Sequence, residues 1–190
     1  MGNRRFSRKR LFETEKLGKA VDLEAGAGIK DAIVSATQHR NGGEIITEIA
    51  VDLGTSKAVI GGGGAAEAAV GVGTDAAHLT RLTAAKFGII TEIRAVVVEA
   101  PLPAAVNTLD VWTNDTAYGA ESDVGTAGTP TAGPADLSAV GEDTSVAYND
   151  NGLANNYLYI ANATGKTGTD TFTAGKLLIY IHGFEAPADI

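Results

Sequence analysis

Three histidines are the side chains of this 190-residue chain best suited to acid–base chemistry or metal binding. They are His39, His78 and His182, and no two of them stand at a metal-ligand spacing such as H-x-x-x-H. We expect His39, which precedes a turn, to be exposed and His182 to be packed on a strand face. The chain has no cysteine, which excludes disulfides, thiolate metal sites and cysteine nucleophiles. It also lacks the G-x-S-x-G motif of serine hydrolases. A Ser-His-Asp triad is recognised by geometry and stays open, but no set of residues in the sequence indicates catalysis, so we predict no catalytic residue and no enzyme.

A glycine-rich run, Gly61–Ala66, has the spacing G-x-G-x-x-A found in dinucleotide-binding loops. Such a loop opens a helix and is followed about 20 residues later by an acid that holds the ribose. Gly71 and Gly73 would interrupt that helix, and no acid lies between Asp75 and Glu92. We therefore interpret the run as a flexible loop and predict no cofactor.

Acidic residues cluster in two stretches, 110–123 and 142–151, whose carboxylates could bind Ca²⁺. Neither stretch has the spacing of an EF-hand. Turn chemistry explains Asp150-Asn151-Gly152 without a metal. The sequence therefore predicts no metal site.

Charge divides the chain into a basic arm, residues 1–24, and an acidic body, residues 25–190. Residues 1–20 hold seven Lys or Arg and two Glu, whereas residues 21–190 hold eight Lys or Arg and 21 Asp or Glu, a net charge of −13. Basic arms bind polyanions or the acidic surface of a neighbouring subunit. We expect cations to make the charge contacts of this arm and its apolar side chains to anchor it. The residues expected to contact the partner are Arg4, Arg5, Phe6, Arg8, Lys9, Arg10, Leu11 and Phe12.

Alternating apolar and polar residues predict eight or nine short strands and no amphipathic helix beyond residue 20. The alternation is clearest in residues 44–53, where every second residue from Ile45 to Leu53 shares one face. Hairpins are predicted at Asn41-Gly42-Gly43 and at Asp150-Asn151-Gly152. Pro101 and Pro103 are expected to end the longest strand. The predicted strands cover residues 31–37, 44–53, 57–60, 77–83, 87–99, 106–113, 144–148, 156–161 and 176–185.

Short strands with long polar connections in one domain are typical of an antiparallel β-sandwich. We expect an all-β, jelly-roll-like sandwich over residues 25–190, with an immunoglobulin-like sandwich as the alternative. Residues 114–143 form a long acidic connection rich in Gly, Thr and Ala, which is either a functional loop or a segment that orders against a neighbour. No apolar stretch approaches the length of a membrane span, and no h-region of a signal peptide follows the basic start.

Three segments resemble the small structural proteins of tailed-phage virions, particularly those of marine phages. They are the basic start Arg4–Phe12, the strand Ala85–Arg94 and the ending Thr173–Ile181. The resemblance implies a capsid decoration (cement) protein, a β-sandwich that clamps the major capsid protein on the outside of the head. It also implies synthesis in the host cytoplasm, localisation at the capsid surface, and no catalytic residues.

Other functions fit parts of the sequence. A tail or head-fibre protein would share the virion role, and a single jelly-roll capsid subunit would turn its basic arm towards packaged nucleic acid. The net charge of −13 over residues 21–190 opposes that second arrangement, so we expect no nucleic acid partner. A carbohydrate-binding adhesive module would need aromatic platforms, but the chain has only 11 aromatic residues, and Trp112 is its one tryptophan.

We expect the protein to be a homo-oligomer, namely a trimer, in contact with the major capsid protein or other virion subunits. The apolar alternation lies wholly within residues 31–185. The body is therefore expected to fold and to oligomerise without residues 1–20.

Overall fold

A computed structural model describes residues 19–29, 33–54, 59–61, 67–103, 107–126, 128–148, 151–163 and 170–185. The prediction of an all-β fold with antiparallel sheets is confirmed. Within these ranges, one four-residue helix, α1 (Ala84–Phe87), and a 3-10 turn (Asn151–Leu153) interrupt the strands. The strands are β1 (Lys19–Ala20), β2 (Val34–Asn41), β3 (Glu44–Asp52), β4 (Ile60–Gly61), β5 (Thr80–Arg81), β6 (Ile89–Leu102), β7 (Leu109–Asn114), β8 (Thr131–Ala132), β9 (Asp143–Ala147), β10 (Tyr157–Asn162), β11 (Asp170–Thr171) and β12 (Ala174–Phe184).

The larger sheet has six antiparallel strands in the order β1-β2-β3-β12-β6-β9. Its hairpin β2–β3 closes at Gly42-Gly43, as predicted, with Asn41 paired to Glu44. Along β3 and β12 buried residues alternate with half-exposed or exposed ones, so every second side chain faces the core. The alternation predicted from Ile45 to Leu53 is thereby confirmed.

The smaller sheet has four antiparallel strands in the order β5-β10-β7-β8, and β4 and β11 form a separate pair. Buried residues of both sheets belong to one apolar cluster, including Ile49 and Ile179 from the larger sheet and Val111 and Ile160 from the smaller. The two sheets therefore pack face to face, which makes the body a β-sandwich.

The chain crosses between the sheets at almost every step after β3. In chain order, β3, β6, β9 and β12 lie in the larger sheet, while β5, β7, β8 and β10 lie in the smaller. The hairpin predicted at Asp150-Asn151-Gly152 is consequently wrong, because β9 pairs with β6 and β10 pairs with β7 and β5. Every residue of β10 after Tyr157 is buried, so this strand lies in the middle of its own sheet and not beside β9.

The longest strand ends at Leu102, directly before Pro103 as predicted, but it runs through Pro101, which the sequence analysis also expected to end it. A proline has no N–H, so it cannot donate a ladder hydrogen bond to a neighbouring strand. The ladder between β6 and β9 reaches only from Glu92 to Val96, so Pro101 lies beyond the last β9 partner. Its missing N–H therefore breaks no bond to that strand.

The segment 114–143 contains β8 and packs on the outside of the smaller sheet. Isolated bridges join Ala68 to Asp123 and Ala76 to Gly119. The described residues between β4 and β5 and the segment 114–143 therefore cover this sheet together. Beneath them lies a second, smaller core formed by Ala69, Ala77, Ala120, Val124, Tyr159 and Ala161. The four-stranded sheet is therefore covered on both faces.

In the part of the chain that the structure describes, no helix has the length and apolar character required to cross a membrane.

Candidate functional site

The partner-contacting residues predicted in the arm, from Arg4 to Phe12, lie outside the described residues. The structure does show where the arm joins the body. Lys19 and Ala20 pair antiparallel with Gln38 and Thr37, and the Val21 N–H donates to the Ala36 carbonyl at 3.1 Å. The arm therefore leaves from one edge of the six-stranded sheet.

The outer face of this sheet, which points away from the smaller sheet, is acidic. Strand pairing places its side chains in cross-strand rows over β2, β3, β12, β6 and β9. Among the described residues of this face, two basic side chains, Arg94 and Lys176, lie among six carboxylates. These carboxylates belong to Glu44, Glu48, Asp52, Glu92, Glu99 and Asp143.

Both cations on the outer face are held by acids. The Lys176 ammonium lies 3.6 Å from Asp52 and 3.3 Å from Glu99, and these acids raise the pKa of Lys176, the hydrogen bond to Glu99 most strongly. Arg94 forms a two-pronged ion pair with Asp143, which lowers the pKa of that carboxyl. These pairs are roughly half exposed and add little stability, but they fix the charges across the face.

An apolar groove of about 440 Å³ lies on this acidic face. Small side chains of β2 and β3, Ser35 and Ala50, leave room beside Leu178 of β12. Val98 of β6 lines the groove and is 48% exposed. We call this feature the Val98 groove; its rim carries the ion pair of Asp52 and Lys176. It is lined by Ser35, Ala50, Asp52, Val98, Lys176 and Leu178, among others.

The histidines lie apart from one another. His78 is partly buried over the smaller sheet, with its ring 4.9 Å from that of Tyr157, and burial lowers its pKa. His182 is half-buried on the outer face, 3.9 Å from the Glu44 carboxylate, in keeping with the packed position expected for it. His39 is half-buried on β2 and not exposed as expected, because its neighbours in the sheet cover it.

The loop acids cap turns. Asp115 accepts the N–H of Thr129 at 3.2 Å, and Asp123 accepts those of Gly125 and Thr126 at 3.0 and 3.1 Å. Hydrogen bonds from Thr129 lower the pKa of Asp115. Within the described ranges, no group of three or more His, Asp or Glu side chains could hold a metal ion.

Comparison with protein-family models gives no match for this chain. A search of curated proteins gives no match either.

Sequence reasoning missed the Val98 groove. Its local signals are two small residues, Ser35 on β2 and Ala50 between Glu48 and Asp52 on β3. The other walls come from β6 and β12, about 50 and 130 residues further along the chain. The pairing of these distant strands, and not a local motif, creates the groove.

Proposed function

We propose that this protein is a non-enzymatic structural protein of a virion, a capsid decoration protein that binds the major capsid lattice. The observation that carries the proposal is the order of its strands. In the larger sheet β3, β12, β6 and β9 are neighbours, and in the smaller sheet β5, β10, β7 and β8 are neighbours. From this order, with eight strands alternating between two antiparallel sheets, we infer the double Greek key of a jelly roll, an architecture common in viral capsids.

The immunoglobulin-like alternative fits this strand order less well. An immunoglobulin fold keeps several consecutive strands side by side in one sheet, with A beside B, D beside E, and F beside G. Among these eight strands, β7 and β8 are the only two that follow each other in the chain and are also neighbours in a sheet. We therefore favour the jelly roll.

The filling of the sandwich supports a structural role. Lectins and cupins also use jelly rolls, and cupins bind ligands between their sheets. In this chain the space between the sheets is occupied by fully buried aliphatic side chains such as Ile49, Val111, Ile160 and Ile179. The molecule therefore offers other proteins its outer surfaces and not its interior.

We further propose that the arm attaches the protein to its assembly through an acidic or groove-like protein surface. Phe6, Leu11 and Phe12 interleave with the cations, and phosphate alone would not require apolar side chains. Burial of each Phe would contribute roughly 1.5–3 kcal/mol. Apolar anchors should keep the arm attached when salt screens the charges.

Immunogold labelling tests the location. An antibody that recognises residues 25–190 is applied to particles purified from cells that express the chain from the genome in which it naturally occurs. We expect gold on the outside of heads. Label confined to tails or fibres, or protein found only outside particles, would overturn decoration.

Arm variants test the attachment. Phe6→Ala with Phe12→Ala should release the protein from particles even at low salt. Replacing the five cations from Arg4 to Arg10 by Gln should weaken attachment mainly at low salt, because added salt already screens those charges in the unmodified arm. DNA added as a competitor should leave the wild-type protein attached. Attachment of the aromatic double variant together with displacement by DNA would instead support a capsid subunit with an arm that faces nucleic acid.

A further inference from the structure

We infer that the Val98 groove receives the arm of a second copy of this chain, with residues 4–12 as the occupant. The inference rests on the proposed function, because it names the protein surface that the arm binds. It assigns a receiving site to the face of the six-stranded sheet that the smaller sheet leaves uncovered.

The chemistry of the groove matches that of the arm. The floor of the groove is aliphatic and suits an apolar side chain such as Phe6, Leu11 or Phe12. Among the described residues, the outer face carries six carboxylates and two basic side chains. Of these, Asp52 and Lys176 line the groove and Glu99 lies beside Lys176. Residues 1–18 carry six Lys or Arg and two Glu. Apolar anchors flanked by cations therefore meet an apolar groove on a sheet face of net negative charge.

The direction of β1 favours a second copy over the same chain. Lys19 pairs with Gln38, so the antiparallel direction towards the N-terminus points along β2 to Asn41. The groove lies at the opposite end of β2, beside Ser35. The arm of the same chain would have to reverse its course to enter its own groove. Eighteen residues extend at most about 60 Å, which is enough to reach a neighbouring molecule.

The absence of cysteine allows a direct test by disulfide trapping. Two differently tagged full-length chains are co-expressed, one carrying Phe12→Cys and the other Val98→Cys, and are then oxidised. We expect the mixed disulfide dimer at a yield at least tenfold above that of a control pair of Phe12→Cys and Thr74→Cys. Thr74 is exposed on a loop over the smaller sheet. A yield equal to the control overturns the inference.

A single chain that carries both Phe12→Cys and Val98→Cys tests whether the arm enters the groove of its own chain or of a second copy. Disulfides between chains are expected to dominate after oxidation. Disulfides only within the chain would overturn the inference and show that the groove holds its own arm.

Trypsin cleavage of the arm provides a second test that does not depend on cysteine. In the full-length protein Val98→Lys should speed cleavage at residues 4–10 by at least tenfold, because a cation in the groove repels the arm. The matched control is Val140→Lys, a cation placed at a valine that is 67% exposed and outside the groove. Equal cleavage rates in the two variants would overturn the inference.

These outcomes are separate from those of the proposed function. Gold on phage heads without disulfide trapping at position 98 would support decoration and contradict binding of the arm in the Val98 groove. Efficient disulfide trapping without gold on any particle would support binding of the arm in the groove and contradict decoration.

Discussion

Gly183 lets β12 pass close to the end of helix α1. A Cβ atom added at Gly183 would lie 2.0 Å from the carbonyl oxygen of Phe87, which cannot move freely because it belongs to the backbone. Gly183→Ala should therefore lower the free energy of unfolding by roughly 1–3 kcal/mol. Gly43→Ala is the matched control, since a Cβ there meets nothing within 4 Å. Urea unfolding of both variants measures the difference, and equal midpoints would contradict the packing argument.

The Glu142 carboxylate makes stability depend on pH at the acid end. It accepts the N–H groups of Ser138 and Ala139, and these bonds hold its pKa below the ordinary value of 4.5. A carboxyl with a lowered folded-state pKa stabilises the protein above its unfolded-state pKa and loses that contribution as the pH falls through the folded value. Glu142→Gln should therefore destabilise the protein at pH 6 and do so less at pH 3. Urea unfolding at both pH values measures this, and a difference that does not shrink on acidification would refute it.

The facing of individual residues was predictable where a strand is long. In β3 a period of two is a local property of the sequence, and it placed Ile49 and Val51 on one face, which the structure shows buried. The exposure of His39 was not predictable, because neighbouring strands cover it. The arm residues from Arg4 to Phe12 stay a prediction, since they lie outside the described residues.

At the scale of elements, Tyr159 fastens the long connection to the smaller sheet. Its hydroxyl donates to the Thr116 carbonyl and accepts the Tyr118 N–H, both at 2.8 Å, and burial raises its pKa to about 12. Tyr159→Phe removes both bonds and leaves two backbone groups without this partner. We expect a loss of about 1–3 kcal/mol and faster amide hydrogen exchange in residues 116–122.

The control for that variant is Tyr148→Phe, which removes one hydrogen bond, to Ala132, in another part of the segment. Its exchange in residues 116–122 should match that of the wild-type protein. If Tyr159→Phe also leaves exchange there unchanged, the hydroxyl does not hold the connection.

Strand pairing was the least predictable feature of the elements. The Asn41-Gly42-Gly43 turn joined adjacent strands because only two residues separate the ends of β2 and β3. The second candidate turn looked similar in sequence, but nine residues separate Ala147 from Tyr157, which is enough to cross to the other sheet. Loop composition identified the turn and could not identify the partner strand.

At the scale of the whole molecule, composition and alternation indicated an antiparallel sandwich. The order of the strands was beyond sequence reasoning, because it depends on pairings such as β3 with β12 across more than 120 residues. The Val98 groove depends on the same pairings. The acidic face was partly predictable beforehand, since residues 21–190 carry a net charge of −13.

Removal of residues 1–20 tests whether the rest of the chain folds by itself. The apolar core includes Leu23 and residues from there to Ile181, and β1 adds only two paired residues at the sheet edge. The truncated protein should therefore unfold cooperatively in urea, with a free energy of unfolding within about 0.5 kcal/mol of that of the full chain. Light scattering on the same sample tests the expectation that the body forms a trimer. A truncated protein that stays unfolded, as judged by circular dichroism, would show that the arm completes the fold and does more than attach it to a partner.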